Sequence, residues 1–377
     1  MKNIEKENPQ IDWHLPRDLL CEEKKWQDTI PDPPSELMSP FNYFSRFYNE
    51  EFIENIAYQS SKFVLEMDHE TPNFTTLEIE QYLGILLYVD IIGMLQYRLY
   101  WLSESRYPPI ADIMETVLQD QPPEEMQSID EQIISFKGHS NLHQYVKTEP
   151  HKWGYKVFTP CGSSGMTHSF QIYEDDSTCT NFGIRISGNI VIELASTIPE
   201  HKKYKLYFDN WFSSISLAEQ LQDKGIWCVG TIRENSIPNP PLKTGQELKK
   251  EGREAHNCAV NSNSGIVIFK WFDNKAINKH IRIPRPAVVS QYNKFMGGVD
   301  LADMLIELYH ISMKSKRGYM RIFHWKLNVA VINSWLLYCR HHAELKTPGK
   351  NMSLLQFQAK IAVGLTTAAK AITRERG

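Results

Sequence analysis

Cysteine is sparse in this chain of 377 residues and never closely paired. The six, Cys21, Cys161, Cys179, Cys228, Cys258 and Cys339, contain no CxxC spacing. That excludes a disulfide scaffold and leaves the thiols reading as reduced, as in a cytoplasmic or nuclear protein. Long apolar runs are also missing. The strongest, Tyr82–Leu95, is broken by Asp90 and too short to span a bilayer, so no membrane association is expected. The first thirty residues are polar and acidic, which argues against an export or transit peptide. Excess base is lacking too. Lys and Arg total 41 against 45 Asp and Glu, a formal charge of −4, so the chain as a whole is not a basic nucleic-acid binder. Internal repeats, low-complexity tracts and coiled-coil heptads are absent. What remains is an ordinary globular composition, 42% hydrophobic and 23% charged, long enough for two or three domains.

The sign of the charge is unevenly spread. Residues 1–60 hold twelve acids and six bases. Ser312–Lys350 holds Lys314, Lys316, Arg317, Arg321, Lys326, Arg340, Lys346 and Lys350 against Glu344 alone. This is either a face turned to a polyanion or a solvated helix surface.

Residues 1–40, with prolines at 31, 33, 34 and 40, read as a flexible acidic arm ending in an extended linker. Residues 41–125 turn helical: Phe44, Phe47, Tyr48, Phe52, Ile53 and Ile56 recur at helical spacing, and Thr75-Thr76-Leu77-Glu78 is a capping box. Residues 126–235 form a strand-rich α/β core. Strands are expected at Met126–Phe136, Tyr155–Thr159, Ser169–Tyr173, Lys205–Phe208 and Trp227–Ile232, with a helix at Ile215–Lys224. Asn189–Leu194 fits strand or helix. Residues 236–284 are polar and turn-rich, a small insertion with one strand at Gly265–Phe272. Residues 285–306 return to the core, and 307–377 are helical, with a long helix from Met320 to Leu345.

Three aspartates, Asp130, Asp209 and Asp300, sit in contexts that present a carboxylate. They lie in SIDEQIISFKG, YFDNWFSS and YNKFMGGVDLADM, separated by 79 and 91 residues (209 − 130 and 300 − 209). Strand alternation turns Asp130 and Glu131 to opposite faces, so only one can face a site. Asp209 closes an apolar strand, where α/β sheets place ligands. Asp300 opens a helix after Gly297-Gly298, with Asp303 one turn on, and the free amides there favour a carboxylate. Three carboxylates brought together could hold two divalent cations and carry out phosphoryl transfer. Taken singly, Asp209 can equally be a turn residue and Asp300 a helix cap. Trp211 and Phe212 brace the strand end or stack on unpaired bases. Gly162-Ser163-Ser164-Gly165 lacks the spacing of a nucleophile elbow and reads as a turn. The pairs His139/His143 and His341/His342 have no further metal ligands in sequence reach.

SIDEQ, DNWFSS, GTIRENS (Gly230–Ser236) and YNKFMGGVDLAD occur in an order that resembles the piggyBac transposase family and its host-domesticated derivatives. RYPPIADIM (Arg106–Met114) and INSWLLY (Ile332–Tyr338) extend the likeness over roughly residues 40–340. The resemblance implies an RNase H-like catalytic domain with a small insertion, flanked by an α-helical dimerisation and DNA-binding region. It implies cut-and-paste transposition at TTAA targets, with two Mg²⁺ ions on Asp130, Asp209 and Asp300 and Asp303 beside the third. It further implies double-stranded DNA as partner, a homodimer, nuclear residence, and phosphate contacts from Lys314, Lys316, Arg317 and Arg321. The chain departs from the family pattern between Met114 and Asp130 and between Asn274 and Pro284, where it is shortened. Gly318-Tyr319 replaces a usual tryptophan, and no cysteine follows Cys339, so no zinc is expected. Two functions stand from this reading: a DNA transposase, or a catalytically silent DNA- or chromatin-binding derivative.

Overall fold

The structure, a computed structural model, describes residues 13–14, 25–68, 73–92, 122–138, 140, 142–147, 151–174, 178–237, 240–252, 254–272, 286–311 and 318–375. RYPPIADIM, the part of the first shortened segment before residue 122, the whole of the second between Asn274 and Pro284, His139, and Lys314, Lys316 and Arg317 lie outside them. The chain divides into two compact units. The first comprises residues 1–28, 125–129 and 179–297; the second comprises 29–124, 130–178 and 298–377. Residues 126–235, read from sequence as one core, contribute to both.

The first unit is built on parallel strands. β2 (Met126–Ser135) begins here, and its opening residues pair with β6 (Lys205–Phe208), which pairs in turn with β7 (Trp227–Gly230), all parallel. Leu206, Tyr207 and Phe208 are buried in a row, the continuous apolar signature of a strand covered on both faces. Between β6 and β7 runs α5 (Ile215–Asp223), whose N-cap Ser214 accepts a hydrogen bond from Leu217 N. Its Leu217 and Leu221 are fully buried. Asn189–Leu194 resolves as helix, within α4 (Ile186–Leu194), because Ile190, Val191, Ile192 and Leu194 bury nearly all round. The insertion holds more than its single expected strand. β8 (His256–Asn261) pairs antiparallel with β9 (Val267–Trp271), and β1 (Trp13–His14) adds to β8. The run HNCAVN has little β propensity and gains its strand from those partners. α6 (Gly245–Glu251) also forms there, opened by a Thr244/Glu247 capping box, and α7 (Ala287–Phe295) follows in the same unit. The segment read as an arm is engaged where it is described: Trp26 meets Tyr204 edge-on, and the Tyr204 hydroxyl donates to Asp28 at 2.8 Å.

The second unit is mainly helical. α1 (Pro40–Phe44) starts with Ser39 as N-cap and proline in its first turn, followed by α2 (Glu50–Asp68). α3 (Thr76–Ile92) opens on the expected capping box: Thr75 N donates to Glu78 Oε2 at 2.8 Å and Glu78 N to Thr75 Oγ1 at 3.3 Å. Near the chain end are α8 (Gly298–Leu308), the central α9 (Gly318–Glu344) and α10 (Leu354–Glu375). α9 is buried almost all round from Phe323 to Ser334, as a helix clothed by its neighbours must be. Asn333 on it clasps an irregular strand: its Oδ1 accepts from Thr167 N at 3.0 Å, and its Nδ2 donates to Thr167 O at 2.7 Å. The rest of β2 belongs to this unit and neighbours β4 (Trp153–Gly162), which pairs antiparallel with β3 (His143–Tyr145) and β5 (Gln171–Ile172). No described helix is long and apolar enough to cross a membrane.

Two stability predictions follow from the helical core. A Cβ at Gly84 would stand 2.7 Å from Thr366 Cγ2, 3.0 Å from Leu365 Cβ and 3.1 Å from the Ala362 carbonyl. Alanine gains about 1 kcal/mol of helix propensity over glycine, whereas overpacking costs about 1–3 kcal/mol. Two of the three contacts are a Cβ and a backbone oxygen that cannot swing aside, so the clash wins. Gly84→Ala is expected to lower the urea midpoint.

His324 is buried, neither ring nitrogen has a hydrogen-bond partner among the described residues, and burial followed by nearby Arg321 pushes its pKa down to about 4. The fold therefore favours the neutral ring. Its contribution is intact above the unfolded value of about 6.5 and erodes as pH falls toward 4, by about 2 kcal/mol at pH 5. Thermal melts should show His324→Leu losing less stability than wild type between pH 7 and pH 5.

Candidate functional site

Asp209 follows β6 directly. Its Oδ1 accepts from Trp211 N at 2.8 Å and its carbonyl accepts from Ser213 Oγ at 2.8 Å, a tight turn that fixes the carboxylate at the strand end. Asn210 Oδ1 accepts from Arg233 Nε at 3.1 Å, tying DNWFSS to GTIRENS. Phe212 is fully buried, with Trp211 edge-on to it at 4.7 Å, so Phe212 braces the core.

Asp130 lies within β2, its Oδ1 accepting from Glu131 N at 2.9 Å. Glu131, on the opposite face, pairs with Lys156 at 3.7 Å, and that ammonium also lies 5.0 Å over the Phe158 ring. Glu131 is thus engaged on the face opposite Asp130. The parallel register adds a second fact. Ile129 is paired with Phe208; Asp130 is the next residue of β2, and Asp209 is the first residue after β6.

Asp300 sits exposed in the first turn of α8. Val299 and Ala302 on the same helix pack with Cys161 of β4, and Leu305 and Ile306 bury as well, which turns Asp300 away from the core. Asp303 lies close enough to Cys161 to act on its thiol. Burial above all, with Asp303 and Glu124 adding to it against hydrogen bonds to Thr167 and Thr159, raises that thiol to about 12. Cys161 is inert as a nucleophile at neutral pH.

Gly162–Gly165 is a turn, as the sequence suggests, with Gly165 at φ +88°. Its serines serve a buried carboxylate. Glu124 accepts from Ser163 Oγ at 3.1 Å, Ser164 N at 3.2 Å and Ser164 Oγ at 2.5 Å, and forms an ion pair with Arg340 at 2.8 Å. Sequence reasoning missed this knot, since nothing near Glu124 marks it as a buried acid.

The basic run Ser312–Lys350 is not uniformly a polyanion-facing surface. Arg340 is taken by Glu124, and Lys326 is buried 4.2 Å over the Phe170 ring. Arg321 is half-buried on α9, and desolvation lowers the pKa of its guanidinium. The histidine pairs are structural where described: His143 Nε2 donates to Phe136 O at 2.7 Å, and His341 Nδ1 bonds the Tyr43 hydroxyl at 3.0 Å. Asp130 and Asp300 belong to the second unit and Asp209 to the first. No group of three or more His, Cys, Asp or Glu among the described residues stands close enough to hold a metal ion.

Comparison with known proteins gives this arrangement its lineage. The family model described as transposase IS4 matches residues 39–117 and 115–335. The chain is 23% identical over 395 residues to the human piggyBac transposable element-derived protein 3, covering 85% of this chain and 66% of that protein. It is likewise 23% identical over 401 residues to the human piggyBac transposable element-derived protein 2, covering 88% of this chain and 67% of that one. It thus spans about two thirds of the length of these relatives, just under that share for the former. In structure it resembles a chain of the piggyBac transposase synaptic complex with hairpin DNA, solved by cryo-EM. The TM-score is 0.68 at 20% identity over 91% of this chain and 84% of that one, a likeness of mixed α/β fold. The chain belongs to the transposase IS4 family, and within it to the piggyBac transposases and their derivatives.

Proposed function

We propose that this protein acts on double-stranded DNA as a piggyBac-type transposase, cutting and joining strands at Asp130, Asp209 and Asp300. The observation that carries this reading is the register of β2 and β6. Two parallel strands end their paired segment on Ile129 and Phe208, and a carboxylate follows each. Supporting it, Lys156 holds Glu131 on the other face, and the Trp211 amide fixes the Asp209 carboxylate. The free amides of the first turn of α8 favour the charge on Asp300. The donors are three hard carboxylates, the kind Mg²⁺ selects, and the fit rests on that chemistry and the register rather than on a gathered metal cluster. When bound, two such ions would neutralise charge at the attacked phosphodiester. An RNase H-like core is part of the proposal, supported by antiparallel β3–β5 on one side of the chain order and parallel β6 and β7 joined by α5 on the other. The flanking helices would supply dimerisation and DNA contacts, Arg321 and the segment holding Lys314, Lys316 and Arg317 among them, in a nuclear homodimer.

A second reading is favoured by a separate observation, that no three-acid group stands within metal-holding distance among the described residues. On that reading the chain is a domesticated, catalytically silent DNA- or chromatin-binding protein.

Cleavage of a DNA substrate carrying transposon ends in Mg²⁺ or Mn²⁺, together with calorimetric Mn²⁺ titration, separates the two. On the first reading wild type cuts, and Asp130→Asn or Asp209→Ala slows cutting on the order of a thousandfold and loses Mn²⁺ binding. Salt-dependent DNA binding with no cutting and no Mn²⁺ uptake by wild type would establish the second.

A further inference from the structure

The β3–β4 hairpin of the second unit carries a ladder of rings on one face. Tyr145 is the direct cross-strand partner of Trp153, and His143 of Tyr155. Tyr145 and Trp153 have ring centroids 4.7 Å apart, and His143 stacks on Trp153 at 4.9 Å with an interplanar angle of 19°. His143 then meets Phe136 edge-on at 6.0 Å, and Phe136 stacks on Tyr155 at 5.2 Å. The ladder runs from solvent to core. Tyr145 and Trp153 are 51% and 48% exposed, whereas Phe136 and Tyr155 are 2% and 4% exposed. Its inner end is rigid: His143 Nε2 is pinned to the Phe136 carbonyl, and the Tyr155 hydroxyl abuts Gly318 at the start of α9. The outer end therefore holds two large rings in fixed orientation at the surface, where their desolvation contributes nothing to the core.

In sequence, residues 137–153 carry Lys137, Lys147 and Lys152 against Glu149 alone. Lys137, Lys147 and Lys152 are exposed beside the ladder, and none makes an ion pair among the described residues. Among the described residues, Glu307 approaches the hairpin and meets His151 at 3.6 Å. In sequence, the segment holding Lys314, Lys316 and Arg317 leads straight into Gly318, where the ladder ends. Braced aromatic faces flanked by cations suit a ligand that is polyanionic and carries free π-faces. An unpaired stretch of nucleic acid has both, and a duplex, its bases stacked on one another, lacks the second.

We propose that Tyr145 and Trp153 form a stacking platform for unpaired nucleobases of a DNA strand, with Lys137, Lys147 and Lys152 on its phosphates. The inference rests on the reading that the protein works on DNA, and it is independent of the three aspartates.

The test is fluorescence anisotropy with the full chain and three probes: a labelled oligothymidylate, the same strand with abasic sites in place of bases, and a duplex. Wild type is expected to bind the base-bearing strand about 5- to 150-fold tighter than the abasic strand, the range base–aromatic stacking provides. Trp153→Ala should erase that preference while leaving duplex affinity unchanged, and Trp153→Phe should keep most of it. The abasic comparison is made in wild type, so it does not depend on how a variant folds. Equal affinity of wild type for base-bearing and abasic strands, with duplex still bound, overturns the platform and leaves the DNA reading standing. Failure of wild type to bind any of the three overturns the DNA reading and the platform together.

Discussion

The alignment of β2 with β6 is the constraint from which the rest of the candidate chemistry follows. Side chains alternate across a strand, so sliding one of these strands by a single residue would turn its carboxylate to the far face and bring an apolar neighbour forward. What holds the register is the burial of Ile129, Leu206, Tyr207 and Phe208, all with almost no exposed surface. Burying each of these large side chains contributes about 1.5–3 kcal/mol, so the four together outweigh the two hydrogen bonds around Asp209. Asp209 is positioned by the apolar strand it follows, and its hydrogen bonds to Trp211 and Ser213 only trim its angle.

Much of this was legible in the chain before any coordinates. β6 announced itself as an apolar run ending in DN, α3 by its threonine–glutamate box, and α9 by its length and bulk. Ordered motifs gave the lineage. The misses have physical causes. β8 has a poor strand composition and depends on β9 and β1 for its pairing, so no window of local sequence could reveal it. Asn189–Leu194 is apolar all round, a pattern in which the two periodicities cannot be told apart until the neighbours are known. In the basic stretch after Ser312 the charges were plain, but not which of them had been drawn inward: Lys326 under Phe170 and Arg340 against Glu124 look, as letters, like Lys346 and Lys350.

The aromatic hairpin shows the reverse case. Its residues, HQY and WGY, alternate as a strand should, and the signal was present in sequence. What the letters lacked was the pairing that sets Tyr145 opposite Trp153 and so turns scattered rings into a surface.

Glu124 has a consequence for how chains of this kind can vary. Four donors from a turn and a long helix converge on one carboxylate two residues ahead of β2. Such a mooring acts as a stop on a ruler: polypeptide gained or lost upstream of it is absorbed before the strand is reached. Length changes between the first helices and the sheet are thereby uncoupled from strand alignment, and evolution can trim that stretch without moving a single acid downstream.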